Sequence, residues 1–570
     1  MRIVSSSAAW LLLFIQGARS FSSIPNFNPA PFNKFRHHSN RAESIMKMSS
    51  ASSWSDLQVL SASQAVGKSL NDEVKLRQSG HGSAHVQSTL RLFDANNDEM
   101  PKLTLYRDHA GWCPYCQKTM LLIEEKKVPI NIGLVPMRSY GDKPREFMQL
   151  VPNGLLPALG VEQDDSGRQQ IITESQVIME LLDRWHPPSD GYKAMLPADD
   201  DDKGMRRYDS LARLERELFS WWCTFMFRPE GPPASLPGGL MARVFGNNND
   251  NNNPSMSGSM KGFLDCLSKV DEQLTATPGP WFFGEYDYPT MIDFVYVSHV
   301  ERMLASCAFW KGLNIRGDVW KNQYPGINAW LEAFEKRESY LAFKSDYYTH
   351  VMDIPPQYGP SFNGGLEETR PKYAKMINGR DLESWHLPLP FDDPLQPLYK
   401  GPPLPLNILK AAGIESDNDG TYEHIPHEKM AKTCRQMAGW KLSGNGANVA
   451  KFAARGGSLG ARNPRKNFGA ELADPYAEPD ISVQPQVEHA LSIICETLLD
   501  DTDYESSQQH YESLQNKFGM ALKQSIPAEK VNDVKSSLAY LRDRVGVPRD
   551  LPLAAARHLR AHLNWAIDIL

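Results

Sequence analysis

Cysteine is scarce in this chain, charge is balanced, and no long apolar run interrupts it. Seven cysteines in 570 residues cannot build a disulfide framework, and Cys223, Cys266, Cys307, Cys434 and Cys495 stand apart in segments that read as helices. They are expected to be packed thiols. Lys and Arg number 61 against 68 Asp and Glu, a formal charge of −7, which leaves no basic face for nucleic acid. No segment approaches the ~20 apolar residues that span a bilayer. The length exceeds one domain at roughly 150 residues each.

Two segments at the start read as address labels. Met1-Arg2, the apolar run Ala8–Ile15 and the small residues Ala18 and Ser20 fit a signal peptide over 1–20. Residues 21–50 are rich in Ser, Asn, Lys and Arg, with Glu43 as their one acid. That composition is transit-like. A signal peptide followed directly by a transit segment beginning with Phe21 resembles the bipartite presequence of plastid proteins in algae with complex plastids. A plastid location is expected, with secretion as the alternative. A reducing stroma favours thiol chemistry over structural disulfides.

Residues 51–100 form a polar N-terminal extension with one helix expected over Ser53–Leu76 and a loose "SGHGSAHV" stretch. From Leu103 the hydrophobic period switches. "LTLY", "VPINIGLV", "LLPALGV" and "QQIIT" read as strands; "CQKTMLLIEEKK", "PREFMQL" and "SQVIMELLDRW" read as helices. The order βαβ then αββα predicts an α/β thioredoxin-like domain over 101–188. Residues 200–350 read as all-helical, interrupted by "GNNNDNNNPSMSGSM", which is expected to be a disordered surface loop. Thr290 and Asp293 have the spacing of a capping box. Residues 351–420 read as a Pro-rich linker, and 421–570 as a mainly helical C-terminal extension. Its apolar faces must be buried, which predicts a small bundle docked on the preceding body. A cut after Asp353 is expected to leave that body soluble.

The chemistry concentrates in Gly111-Trp112-Cys113-Pro114-Tyr115-Cys116. A cysteine at the first turn of a helix meets free N–H groups and the positive dipole end, which favour a thiolate. Pro114 suits the first helical position. Cys113 is therefore the expected nucleophile, and Cys116, one turn on, the expected resolving thiol. A zinc site would need two further ligands, and none lies nearby with ligand spacing.

Four pieces, "GWCPYCQK", "VPNGLLPALG", "ITESQVIMELLD" and "WFFGEYDYPTMIDFVYVSHVERM", occur in the order and spacing of a known family. Residues 101–350 resemble a cysteine-containing glutathione transferase, related to the glutaredoxin, omega, lambda and dehydroascorbate reductase groups. The resemblance implies a glutathione-binding thioredoxin-like domain and an all-α transferase C-terminal domain. Cys113 and Cys116 would be catalytic. Glutathione would meet Tyr115 beside the cysteines, the Leu156 backbone before the cis-proline Pro157, and Glu174 and Ser175 at its γ-glutamyl end. Small electrophilic or disulfide substrates are implied. The family's usual Lys or Arg for the glycyl carboxylate is not in place; Asn153, Lys143 and Arg145 are the candidates. Single-cysteine relatives carry a small residue where Cys116 stands. The long extension resembles that of the iota class of photosynthetic organisms, and its role is not implied.

Other features read as structure. Trp221-Trp222 and Phe282-Phe283 are expected in cores. His299 and Glu301 could face an acceptor pocket, although surface or core placement is the plainer reading. "ARGGSLGARNPRKNFG" lacks phosphate-loop spacing. His558 and His562 share a helix face, without the Glu of a metalloprotease motif or an evident third ligand. A glutathione-dependent enzyme is expected. The alternatives are a ligand carrier or a partner-docking protein on the same fold.

Overall fold

The computed structural model describes residues 52–94, 99–163, 167–198, 200–229, 257–393, 395–396, 402–422, 424–461 and 471–570. The expected signal and transit segments lie outside these. Strands β1 (Leu90–Arg91), β2 (Leu103–Asp108), β3 (Ile130–Val135), β4 (Ala158–Glu162) and β5 (Gln169–Ile172) form one sheet in the order β1-β3-β2-β4-β5. β2 and β3 are parallel, with Tyr106 opposite Gly133. β4 runs antiparallel to β2, with Ala158 opposite Tyr106. This is a thioredoxin-like sheet. The short β1, antiparallel to β3, gives too little pattern to read in sequence.

Helix α3 (Pro114–Lys126) crosses from β2 to β3. It is buried almost all round, because the helix Met291–Lys311, itself buried on nearly every side, packs against it. Charged residues survive there by pairing: Glu124 meets Arg91 at 2.7 Å, and Lys126 meets Asp183 at 2.7 Å. Helices α4 (Arg145–Leu150) and α5 (Ser175–Trp185) complete this half.

Two further helices begin on the N-terminal side. The expected helix Ser53–Leu76 is two, α1 (Trp54–Ser63) and α2 (Ala65–Gln78), parted at an extended Gln64. Gly67 permits the close turn, since a Cβ there would lie 2.0 Å from the Ser61 carbonyl oxygen. The "SGHGSAHV" stretch is packed rather than loose: Val86 is fully buried, and its carbonyl accepts from buried Arg107.

The second half is helical, led by α6 (Asp202–Phe227) and the helices Gly258–Thr275, Met291–Lys311 and Pro325–Glu335. Of the low-complexity run, 246–256 lie outside the described residues. Ser257–Met260 instead open a helix, with the Ser257 hydroxyl accepting from the Met260 N–H at 3.3 Å. Asp293 accepts from the Thr290 N–H (2.8 Å) and hydroxyl (2.9 Å), the Phe282 N–H (3.2 Å) and the Trp330 indole (2.9 Å).

The chain from Ser49 to Leu570 forms one compact unit with two large cores. The first joins the sheet to the transferase-like helices. The second joins α1 and α2, through Leu57, Val66 and Leu70, to residues 404–566. The boundary expected at 350/351 falls inside the helix Tyr347–Tyr358. The Pro-rich 351–420 segment contains the helices Arg370–Ile377 and Leu406–Ala411, and it places Trp385 and Leu395 in the first core. A cut after Asp353 would therefore fall inside a helix and remove Ile354, Ile377, Trp385 and Leu395 from that core. The extension is helical, including His427–Ser443, Gln484–Leu498, Val531–Arg542 and Leu553–Ile569. Among the described residues no helix is long and apolar enough to cross a membrane.

Replacing Asp293 with Ala strands several buried donors. Asp293→Ala should cost about 2–4 kcal/mol of stability, read as a lowered urea midpoint with unchanged slope.

Candidate functional site

The site begins with a carboxylate at the end of β2. Asp108, fully buried, accepts from the N–H groups of Ala110 (3.1 Å), Trp112 (2.5 Å) and Cys113 (3.1 Å). It folds the loop back on itself and presents Cys113 as the residue capping α3, with Pro114 in the first turn. Gly111 has φ +77°, a left-handed conformation that glycine adopts without strain.

Cys113 and Cys116 are both free and buried, Cys113 the more open at 6 % exposure against 2 %. The Asp108 N–H lies 3.4 Å from Cys116 Sγ. A hydrogen bond from the Cys116 thiol holds the Cys113 thiol below its ordinary value. The Cys116 N–H and the Arg302 guanidinium help, while burial and Asp108 oppose. Burial first, and then the Cys113 sulfur, push Cys116 well above its ordinary value. The pair is thus split into a thiol that ionises more easily and one that ionises less easily.

The remaining sequence candidates surround this pair. The Leu156 carbonyl lies 3.9 Å from Cys113 Sγ, and Leu156–Pro157 is a cis peptide. Glu174 is exposed and has φ +71°; Ser175 is buried and opens α5. Tyr115 is half-buried, its ring 5.5 Å from that of His299. Lys143 is half-buried and donates to the Pro136 carbonyl at 2.9 Å. Asn153 is used locally, accepting from the Leu155 N–H at 2.9 Å, and Arg145 is exposed.

Sequence reasoning missed four contributors. Asp108 was legible in part, since Asp at the first position and Gly at the fourth, as in Asp108-His109-Ala110-Gly111, are turn preferences. Arg302, buried in mid-helix, gave none; it donates to the Trp112 and Ser298 carbonyls and to Gln117 Oε1 (3.0 Å). Lys118 is buried beside the Tyr115 ring at 5.5 Å, and burial pushes its ammonium down to about 8. Tyr358 carries a buried hydroxyl without a hydrogen-bond partner, within electrostatic reach of Cys113 and Tyr115.

His299 and Glu301 are core residues with partners: His299 Nδ1 lies 2.8 Å from Glu215, and Glu301 lies 3.3 Å from His350 Nε2. Trp222, Phe282 and Phe283 are buried, as are Cys266, Cys307, Cys434 and Cys495; Trp221 and Cys223 are half-buried. His562 Nε2 faces His510 Nε2 at 3.2 Å. Among the described residues no group of three or more His, Cys, Asp or Glu is placed to hold a metal ion. Arg455 donates to the Asp474 carbonyl at 3.2 Å, and residues 462–469 of its basic loop lie outside the described residues.

Residues 112–185 match the glutathione S-transferase N-terminal domain, and residues 253–333 match the glutathione S-transferase C-terminal domain. The chain thus carries matches to both the N-terminal and the C-terminal domain of glutathione S-transferases. The chain is 25 % identical to the probable glutathione S-transferase DHAR1, cytosolic, of Oryza sativa subsp. japonica, covering 42 % of this chain and 86 % of the relative. It is 31 % identical to the chloroplastic glutathione S-transferase DHAR3 of Arabidopsis thaliana over 14 % of this chain and 26 % of the relative. Among solved structures it is similar to glutathione transferase Omega 3C from Trametes versicolor, at 19 % identity and a TM-score of 0.31, covering 46 % of this chain and 97 % of that one.

The split between the thiols has a measurable consequence. Alkylation of the native protein at pH 7 should modify Cys113 well before Cys116, with its rate falling as pH drops through a midpoint below the ordinary thiol value. Peptide mapping by mass spectrometry over a pH series reads both. Equal labelling of the two cysteines would contradict the assignment.

Proposed function

We propose that this chain is a glutathione-dependent thiol transferase or reductase in which the Cys113 thiolate is the nucleophile. The observation that carries this reading is the placement of Cys113 at the start of α3, favoured over Cys116 as the thiolate. A carrier needs no such pair.

In the proposed reaction, Cys113 S⁻ attacks the glutathione sulfur of a mixed disulfide RS–SG. The new bond is Cys113–S–SG, and RS⁻ leaves to take a proton from water. A second glutathione thiolate then attacks the glutathione sulfur of the adduct. This forms oxidised glutathione and returns Cys113 S⁻. Alternatively Cys116, deprotonated, attacks Cys113 Sγ and expels GS⁻, leaving a Cys113–Cys116 disulfide for glutathione to reduce.

Glutathione would lie along the Leu156 backbone, with Glu174 at its ammonium and Ser175 at the γ-glutamyl carboxylate, where the start of α5 offers free N–H groups. For the glycyl carboxylate we favour Lys143. A Cβ on Gly154 would lie 3.3 Å from the Lys143 side chain, so Lys143 runs along the loop leading to Leu156, and its ammonium has two N–H donors beyond the one on the Pro136 carbonyl; Asn153 is uncharged and Arg145 is exposed. The CPYC pair and the extension support placement near the iota class. The two N-terminal address segments, with chloroplastic proteins among the relatives, support a plastid location.

Cys113→Ser should abolish glutathionyl transfer from a small mixed disulfide, and Cys116→Ser should keep it when glutathione is present in excess. Equal loss in both would mean an obligatory dithiol route. Ser175→Ala should weaken glutathione binding by about 1–3 kcal/mol, measured by calorimetry; unchanged affinity would place the γ-glutamyl group elsewhere.

A further inference from the structure

The residue before the nucleophile is held by the far end of the chain. Trp112 is fully buried. Its indole N–H donates to the Val547 carbonyl at 3.0 Å. The Arg549 guanidinium covers its ring at 4.7 Å, and Tyr140 meets its ring at 4.9 Å, edge to face. Gly546 lies so close that an added Cβ would sit 2.5 Å from the ring. On the other side of the loop, a Cβ on Gly111 would lie 2.9 Å from Val86 and 3.3 Å from Pro548.

The turn that makes these contacts is itself fixed. The Gly546 N–H donates to Asp550 at 2.8 Å, and Arg549 donates to the Arg544 carbonyl at 2.8 Å. The Val547 N–H donates to the Thr349 hydroxyl at 3.1 Å, and the Ser345 hydroxyl donates to the Val547 carbonyl. Just outside the turn, Arg560 pairs with Asp346 at 2.5 Å. The acceptor of the Trp112 indole and two of its neighbours, Gly546 and Arg549, therefore come from a built element.

We propose that the Gly546–Asp550 turn of the C-terminal extension is a positioning element of the reactive site, holding Trp112, and through it Cys113, in the geometry that makes Cys113 reactive. The coupling is through the backbone. The Trp112 N–H and the Cys113 N–H share one Asp108 oxygen, and the Trp112 carbonyl receives Arg302. If the indole loses Val547, the loop shifts away from Asp108 and from the Arg302 guanidinium, and the thiolate loses support. The charged and titratable groups facing Cys113 are Asp108 from β2, Cys116, Tyr115 and Lys118 from α3, Lys143 from the loop before α4, and Arg302 and Tyr358 from the helical half. From the extension, Arg549 lies within electrostatic reach of Asp108, and Arg549→Lys, Trp112→Phe and Gly546→Ala all keep a positive charge there, so what they test is placement.

This inference rests on Cys113 being the nucleophile, and one experiment separates the two. Full-length protein is alkylated with iodoacetamide over a pH series, and labelling at Cys113 is followed by mass spectrometry alongside thermal unfolding. Trp112→Phe keeps the ring and removes the donor. Gly546→Ala keeps the donor and pushes on the ring. Both should slow alkylation at pH 7 by about threefold to tenfold, the range a lost hydrogen bond spans, and raise the midpoint. Arg549→Lys should fall between them and the native protein. Native-like rate and midpoint in these folded variants, whatever their melting temperatures, would overturn the proposal and leave the turn a structural anchor. If Trp112→Phe does not fold, Gly546→Ala and Arg549→Lys decide alone. An ordinary thiol midpoint in the unmodified protein would overturn the nucleophile assignment, and this proposal with it.

Discussion

One carboxylate organises everything near the reactive sulfur. Asp108 sits where β2 ends, without solvent, and gathers three N–H groups from the loop that follows. A buried carboxylate is tolerable only when its lone pairs are occupied. Burial pushes Asp108 up, yet His109 and the N–H groups of Ala110 and Trp112 hold it below its usual value. The same negative charge works against a thiolate at Cys113. Arg302 offsets it, bonded to the Trp112 carbonyl between the two. A thiolate beside that carboxylate is favoured first by the Cys116 thiol and then by the Cys116 N–H at the start of α3 and a buried guanidinium.

The contact between the transferase-like half and the extension follows the same rule of satisfied polar groups. It includes Trp112 to Val547, Val547 to Thr349 and Ser345, Arg560 to Asp346, Tyr348 to the Asp543 carbonyl at 2.9 Å, and Asn564 to the Trp385 carbonyl at 2.8 Å. The N-terminal helices dock on the extension in kind, with Gln64 on the Leu499 carbonyl at 2.7 Å and Trp54 on Glu488 at 2.8 Å. Each bond contributes little net stability, but breaking one leaves a buried group unsatisfied. Such a seam fixes orientation more than affinity. That suits a part that must hold a loop in register.

What could be read from the sequence was local. The Cys113 helix start and the strands on either side lie within short segments whose period or turn residues carry the information, while Leu156-Pro157 and Glu174-Ser175 were implied only by the resemblance of short motifs to a family. The same holds for the extension helices, whose apolar faces repeat at helical spacing. What could not be read was long-range and polar. Trp112 and Val547 lie 435 residues apart, and the acceptor is a main-chain carbonyl, which every residue has. Arg302 looks like any arginine on a helix until packing buries it. The proline content of 351–420 suggested a strap, because prolines exclude ladders and interrupt helices. It did not reveal that Trp385 and Leu395 anchor that strap in the first core.

The depth of Cys116 bears on how the two thiols share the work. In the resting pair, Cys116 gives its proton to a hydrogen bond with Cys113 and feels that sulfur's negative charge. Both effects keep it protonated. When Cys113 becomes a mixed disulfide, the charge is gone and the acceptor is weaker. Two of the causes that raise Cys116 disappear together, leaving burial and Asp108 against the Asp108 N–H. The second thiol therefore becomes easier to ionise only after the first has reacted. On the proposed dithiol route, the adduct on Cys113 would lift two of the causes that hold Cys116 protonated, while burial, the largest, stays.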